Sequence, residues 1–192
     1  MSLAIDGRRE DVPGLTSFSF LEDPTLRAGK EDLRRRKTRW IRSVILHTTI
    51  GEGPGRSGEI PVSEEPGKTG LARRTINSWR SDKTRCASSH IAIDGNGDVY
   101  CLADLLLDAT YHAAGINEVS IGVEVCQEHE ARTISKAQLV SVVKLCDFLS
   151  RRFGIQRQLH WPYSGPISRL KTGADCVGFF GHRDQTRRRG RG

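Results

Sequence analysis

Three side chains stand where chemistry can be delivered. His47 lies towards the end of an apolar, β-branched run, SVILHTTI, and a Gly- and Pro-rich stretch follows that run. In that context a strand end hands a side chain to a cleft. His182 follows a second short apolar segment, in Gly178-Phe179-Phe180-Gly181-His182-Arg183-Asp184. Neutral imidazoles are good zinc ligands, and histidines far apart in sequence can meet at neighbouring strand ends. Two histidines are not a zinc site by themselves, and a histidine satisfied structurally is the alternative for His47. Glu124 lies in Ser120-Ile121-Gly122-Val123-Glu124-Val125. In a strand, Ile121, Val123 and Val125 face one way, with Gly122 and Glu124 on the other face. A carboxylate there can take a proton from water, with Gly122 leaving room beside it, or it is an ordinary exposed strand glutamate.

The elements that must position these groups are legible around them. Residues 43–50 read as a buried strand, and residues 51–70 as an exposed loop too rich in Gly, Pro and Glu to supply a core. Residues 71–80 predict a helix with Leu71, Thr75, Ile76 and Trp79 on one side. HIAIDGNGDVYCL predicts two short strands around an Asp-Gly-Asn-Gly turn, and another strand spans 119–126. The clearest helix runs over 136–153, with Ser135 and Gln138 as a capping box and Gly154 as its stop. Its apolar stripe reads Leu139, Val142, Val143, Cys146, Leu149 and Phe153. A hairpin, isolated strands and a long helix predict an α/β fold, a single domain with a central mixed sheet flanked by helices. The first forty residues read as an arm lying on that domain.

Composition narrows the function classes. The 192 residues suit one domain, and no run approaches the roughly 18 apolar residues of a membrane span. The N-terminus has no signal-peptide core. Five cysteines without a C-x-x-C pair point to reduced thiols rather than a disulfide framework or a structural zinc site. The net charge of +7 is concentrated in Arg34, Arg35, Arg36, Lys37 and Arg39, and in Arg187, Arg188, Arg189 and Arg191. Such runs can meet anionic polymers, but no interleaved aromatics stack bases, so nucleic-acid binding is not expected.

The ordered phrases VILHTT, SSHIAIDGNGDVY, YHAAG with Asn117, SIGVE, the long helix and FFGHRD give the chain its resemblance. It resembles the zinc-dependent N-acetylmuramoyl-L-alanine amidases, a family that includes bacteriophage amidase lysozymes and animal peptidoglycan-recognition proteins. The resemblance implies an amidase-like domain over 41–192, with zinc as cofactor. It implies His47 and His182 as zinc ligands and Glu124 as general base. His112 and Asn117 would line the substrate cleft, His112 also as a transition-state contact, and His90 would be structural or cleft-lining. His129 and His160 match no functional position. The implied activity is hydrolysis of the amide between N-acetylmuramic acid and L-alanine in peptidoglycan or muropeptides. A non-catalytic peptidoglycan-binding module is the alternative. A monomer is expected, made in the cytoplasm and acting in the periplasm or cell wall or on recycled muropeptides.

Two departures stand against the family pattern. Ser89 occupies a position where some relatives carry a tyrosine that helps bind the water or the polarised carbonyl, which favours the Glu124 version of the mechanism. The family's third zinc ligand, an Asp or Cys, comes shortly after the second histidine, where this chain has Arg187 to Gly192. That ligand is expected after Gly192, with Asp175, Cys176 and Asp184 as internal alternatives. Asp184 is disfavoured by its closeness to His182.

Overall fold

The structure is a computed structural model and describes residues 2–29, 33–50, 70–81, 87–113, 115–127, 134–160 and 177–181. Its strands are β1 (Leu3–Ile5), β2 (Arg8–Glu10), β3 (Ser17–Ser19), β4 (Leu33–Arg35), β5 (Ser43–Ile50) and β6 (Ile91–Ile93). They continue with β7 (Val99–Cys101), β8 (Asp108–Thr110), β9 (Ser120–Gln127), β10 (Leu159–His160) and β11 (Gly178–Gly181). The helices are α1 (Leu71–Ser81) and α2 (Lys136–Phe153).

One seven-stranded mixed sheet organises the domain, in the order β10-β11-β5-β9-β6-β7-β3. Strands β10, β11, β5, β9 and β6 run parallel, β7 is antiparallel to β6, and β3 lies parallel to β7. Central parallel strands are covered on both faces and so lose the polar alternation of an open sheet. Here Val44, Ile121, Val123 and Val125 join Leu71, Ala72 and Ile76 of α1 and Leu145 and Leu149 of α2 in the main core. Ile45 belongs to a second, smaller cluster with Ala113, Ile116 and Phe180. The strand alternation therefore separates a helix-covered face from a face covered by the loop that follows β8. This is the α/β architecture of a central mixed sheet flanked by two helices.

The hairpin between β6 and β7 anchors both helices. Asp94 is buried in its turn and accepts from the amides of Gly70 (3.1 Å) and Leu71 (3.0 Å), so a residue remote in sequence satisfies the open N-terminus of α1. Gly97 has φ +87°, and a Cβ there would stand 2.9 Å from the carbonyl oxygen of Ala137, so α2 packs directly on the turn. At the start of α2, Ser135 and Gln138 form the capping box, and Gly154 closes the helix in the left-handed region at φ 65°.

The rotation of α2 differs from the apolar stripe read in the sequence. Leu139 and Val143 are 51% and 60% exposed, while Gln138, Ser141, Leu145, Leu149 and Ser150 are buried. All three buried polar side chains are held by backbone carbonyls, Ser150 Oγ donating to that of Ile155 at 2.7 Å. Gln138 Nε2 donates to the Cys126 carbonyl at 2.7 Å, and Ser141 Oγ donates to that of Gly97 at 2.6 Å. A satisfied polar side chain costs little to bury, so polarity hides the true inner face from a count of apolar residues.

Residues from the first forty contribute to the sheet and the core. Strand β3 forms one sheet edge, and Leu3, Ala4 and Ile5 are fully buried. Asp104 fastens the β1–β2 turn by accepting from the amides of Asp6 (3.1 Å) and Gly7 (2.7 Å). Among the described residues Cys101, Cys126 and Cys146 are free thiols, and burial pushes the pKa of Cys101 and Cys146 up to about 12. No helix among the described residues is long and apolar enough to cross a membrane.

Candidate functional site

Strands β5 and β9 bring His47 and Glu124 together. They are direct register partners in the parallel pair, and Glu124 is also paired with Ala92 of β6. Paired residues project from the same face of a sheet, with strands about 4.8 Å apart. That face is the one carrying Ile45 and Gly122, opposite the helix-covered core. The two groups are 6% and 7% exposed, so an imidazole and a carboxylate sit side by side largely out of water near the C-terminal ends of parallel strands. Open α/β sheets place their ligands at such ends.

The wall beside this pair is built by residues 110–113 and 115–120. The His112 ring lies directly on Gly122, where a Cβ would meet its Cγ at 2.5 Å. Its Nδ1 is 2.8 Å from Thr110 Oγ1, and its Nε2 is 2.9 Å from Ser120 Oγ. Ser120 spends its hydroxyl hydrogen on the Ile116 carbonyl at 2.7 Å. His112 must therefore be the donor to Ser120, which places a proton on Nε2. Both ring nitrogens are thus engaged inside the protein. The ring also meets His47 edge-on, with centroids 5.8 Å apart, and His90 at 5.3 Å.

Asn117 shapes the same wall. Its Oδ1 accepts from the amides of Ala113 (2.7 Å) and His112 (3.3 Å), which closes the turn that carries His112. His90 lies beneath, fully buried, and its Nδ1 accepts the Gly122 amide hydrogen at 3.0 Å. Burial, and then the charge of Arg36, hold the His90 pKa well below the usual histidine value, so the ring is neutral. Ser89 is buried and donates to the Ile91 carbonyl at 3.1 Å, so its hydroxyl points into the fold.

His182 lies outside the described residues, as do Asp175, Cys176, Asp184, the loop over 51–69 and the basic run over 187–191. Strand β11, which precedes His182, pairs with β5 as far as Gly181 opposite Leu46, the residue before His47. Among the described residues there is no group of three or more His, Cys, Asp or Glu side chains that could hold a metal. The donor chemistry beside β5 suits zinc, which takes imidazole nitrogen and carboxylate oxygen. Within the described residues that donor set stops at His47 and its neighbour Glu124.

Arg36, Thr110 and Ser120 belong to this site and were not singled out in the sequence. Arg36 sits inside a run of like charges, where nothing marks it as the buried member. Thr110 ends β8 just before the phrase that carries His112, and Ser120 opens β9 and the phrase that carries Glu124, but a hydroxyl at a strand end gives no signal of the partner it finds.

The family model described as N-acetylmuramoyl-L-alanine amidase matches residues 36–191. Among solved structures, the chain is similar to a peptidoglycan recognition protein SD from Drosophila at 17% identity and a TM-score of 0.57, covering 93% of this chain and 89% of that one. It is similar to peptidoglycan recognition protein 1 of Manduca sexta at 17% identity and a TM-score of 0.55, covering 88% and 79%. The endolysin N-acetylmuramoyl-L-alanine amidase LysCS of Clostridium intestinale matches at 12% identity and a TM-score of 0.52, covering 91% and 84%. At these identities the likeness to solved structures is one of fold. No curated protein matches the chain.

Proposed function

The chain belongs to the N-acetylmuramoyl-L-alanine amidase family, and from that premise we propose that it binds peptidoglycan fragments at the face carrying His47 and Glu124. The ligand is the junction of N-acetylmuramic acid and its stem peptide. The observation that carries this reading is the wall of residues 110–113 and 115–120, whose internal hydrogen bonds fix His112 and Asn117 beside the paired His47 and Glu124. A wall held by the protein's own bonds is organised before any ligand arrives, which lowers the entropic cost of binding.

Hydrolysis of the amide between the sugar and L-alanine is the second reading, and one observation favours it. A buried carboxylate beside a buried imidazole is costly to keep out of water and is a usual mark of a reactive site. Zinc would be held by His47, with His182 and a further Asp or Cys as the remaining ligands. Bound there, it supplies an activated water and polarises the amide carbonyl. Glu124 takes a proton from the attacking water and returns it to the departing amine of L-alanine. His112, with both nitrogens engaged, shapes the recess rather than moving a proton.

Titration of muramyl dipeptide, N-acetylmuramic acid carrying L-alanyl-D-isoglutamine, tests both readings. It is performed on metal-free protein and on protein with zinc, with the products separated by chromatography. Binding without cleavage in both supports recognition alone. Cleavage only with zinc, lost in Glu124→Gln by about 100-fold or more while binding persists, supports the hydrolase. Absence of binding in both forms overturns the proposal.

A further inference from the structure

In the run Arg34-Arg35-Arg36-Lys37 the side chains part company. Arg34 pairs with Glu118 at the surface, and Arg35 is exposed. Arg36 turns inward and is only 8% exposed. Its Nε donates to the Leu105 carbonyl at 3.2 Å. One terminal nitrogen, Nη1, donates to the carbonyls of Asn117 (2.8 Å) and Glu118 (2.7 Å). The other, Nη2, donates to the Ser120 carbonyl at 2.7 Å and stands 2.7 Å from His90 Nε2. A guanidinium has five N–H donors in a planar fork, and four of them are taken up by backbone carbonyls here.

Burial lowers the Arg36 pKa to about 10, and the nearby charges of Glu118, Asp108 and Asp104 act in the opposite direction. The charge is therefore kept, solvated by backbone carbonyls. Burying an ion in this way is expensive, and an apolar side chain could fill the same space at less cost. What the ion does that an apolar residue does not is tie the Leu105 carbonyl before β8 to the carbonyls of Asn117, Glu118 and Ser120 at the entry to β9. His112 and Asn117 lie between those anchor points.

The contacts continue beyond the guanidinium. Arg36 meets His90, His90 Nδ1 is 3.0 Å from Thr110 Oγ1, Thr110 meets His112, and His112 donates to Ser120. The Ser120 carbonyl then returns to Arg36, closing a ring of contacts around the base of the wall. We infer that Arg36 is the positioning residue of the candidate cleft, fixing the backbone at Leu105 and from Asn117 to Ser120 together with the His90–Thr110–His112–Ser120 series, and so setting where His112 and Asn117 stand relative to His47 and Glu124. The inference rests on the proposed recognition at that face, and it names the residue on which the geometry of that recognition depends.

Lysine cannot replace Arg36 in this role. It presents a single ammonium with three donors and has no fork to span the carbonyls of Leu105, Asn117, Glu118 and Ser120. Arg36→Lys and Arg36→Ala are therefore compared with the full wild-type chain, below the melting temperature of each. Long-range proton–nitrogen spectra of histidine-labelled protein report which ring nitrogen of His112 carries its proton, without any ligand. Titration with muramyl dipeptide reports affinity.

The expected result is loss of the single Nε2–H pattern of His112 in both variants, with affinity weakened about tenfold or more. Guanidinium ion restores part of both in Arg36→Ala. Variants that melt earlier but keep the His112 pattern and wild-type affinity overturn the inference, because Arg36 then only stabilises. If neither variant folds, Arg36→Gln keeps a shorter planar donor without the charge, and an unchanged His112 pattern with wild-type affinity there also overturns it. Wild-type protein that fails to bind muramyl dipeptide overturns the recognition reading instead, while the His112 spectrum still decides the role of Arg36.

Discussion

Replacing Gly122 with alanine inserts one methyl group where the His112 ring already lies. The added Cβ would stand 2.5 Å from His112 Cγ and 2.8 Å from its Cβ and Cδ2, against an ordinary van der Waals separation near 3.4–4 Å. The ring must retreat by roughly 1 Å to restore contact distance. It cannot do so and keep both hydrogen bonds, at 2.8 Å to Thr110 and 2.9 Å to Ser120. Overpacking costs about 1–3 kcal/mol, and a buried hydrogen bond adds about 1 kcal/mol, so the variant is destabilised by about 2–4 kcal/mol. In a domain of this size that lowers Tm by roughly 5–15 °C.

The diagnostic is the sign in a second background. With His112 already replaced by glycine, the Cβ, Cγ and Cδ2 that the added methyl group meets are all gone, and glycine to alanine within a strand is favourable by about 0.5–1 kcal/mol. Urea denaturation of the wild type, both single variants and the double variant forms the cycle, with a coupling of at least about 1 kcal/mol expected. Additive effects, or a Gly122→Ala protein as stable as wild type, would refute the seat assigned to His112.

Other outcomes follow from the same structure. The His90 pKa is lower in the folded chain than in the unfolded one, so the unfolded state binds more protons in acid. The stability contributed by His90 is complete above its unfolded pKa near 6.5 and declines as pH falls below it, by at most about 1.4 kcal/mol per pH unit. His90→Gln should flatten that part of a stability–pH profile, and an unchanged slope would show that another group sets it. On α2, Leu145→Ala should cost about 2–5 kcal/mol while Val143→Ser stays within about 0.5 kcal/mol, measured by urea unfolding. Equal costs would mean that the helix is rotated otherwise. Asp94→Ala should destabilise the protein by about 1–2 kcal/mol through the N-terminus of α1. Hydrogen exchange then rises in the first turn of that helix, and unchanged exchange there would remove Asp94 as its cap.

What the sequence made legible was whatever depends on local pattern. The strand Ser43–Ile50, the long helix with its capping box and the Asp-Gly-Asn-Gly hairpin all appear where periodicity and turn chemistry place them. The face of α2 escaped because Gln138 and Ser141 are polar residues buried on backbone carbonyls, which no count of apolar positions reveals. The first forty residues carry few long apolar runs, yet their short strands complete the sheet and the core through pairing with residues some eighty or more positions away, as in Ser17 with Val99. At the site, the alternation of Gly122 and Glu124 against Ile121, Val123 and Val125 was readable from strand periodicity. The register that sets Glu124 beside His47 was not, since a parallel pairing is fixed by packing between strands distant in sequence.

The same distinction separates binding from chemistry at this face. The wall carrying His112 and Asn117 is held from below by carbonyls, hydroxyls and one guanidinium, all within one stretch of the fold. Its shape therefore does not depend on a metal, and a loss of zinc ligands would leave the recess standing. Glu124 is different. A carboxylate with little access to water is costly unless something nearby favours its charge, and a cation beside His47 would do so in the hydrolytic reading. The test is the pKa of Glu124, read from carbon shifts of its carboxyl group with and without zinc. Zinc bound at His47 should lower that pKa, whereas a recognition site alone should leave it unmoved. A Glu124 carboxyl insensitive to saturating zinc, in protein that still binds muramyl dipeptide, would remove the hydrolytic reading and keep recognition.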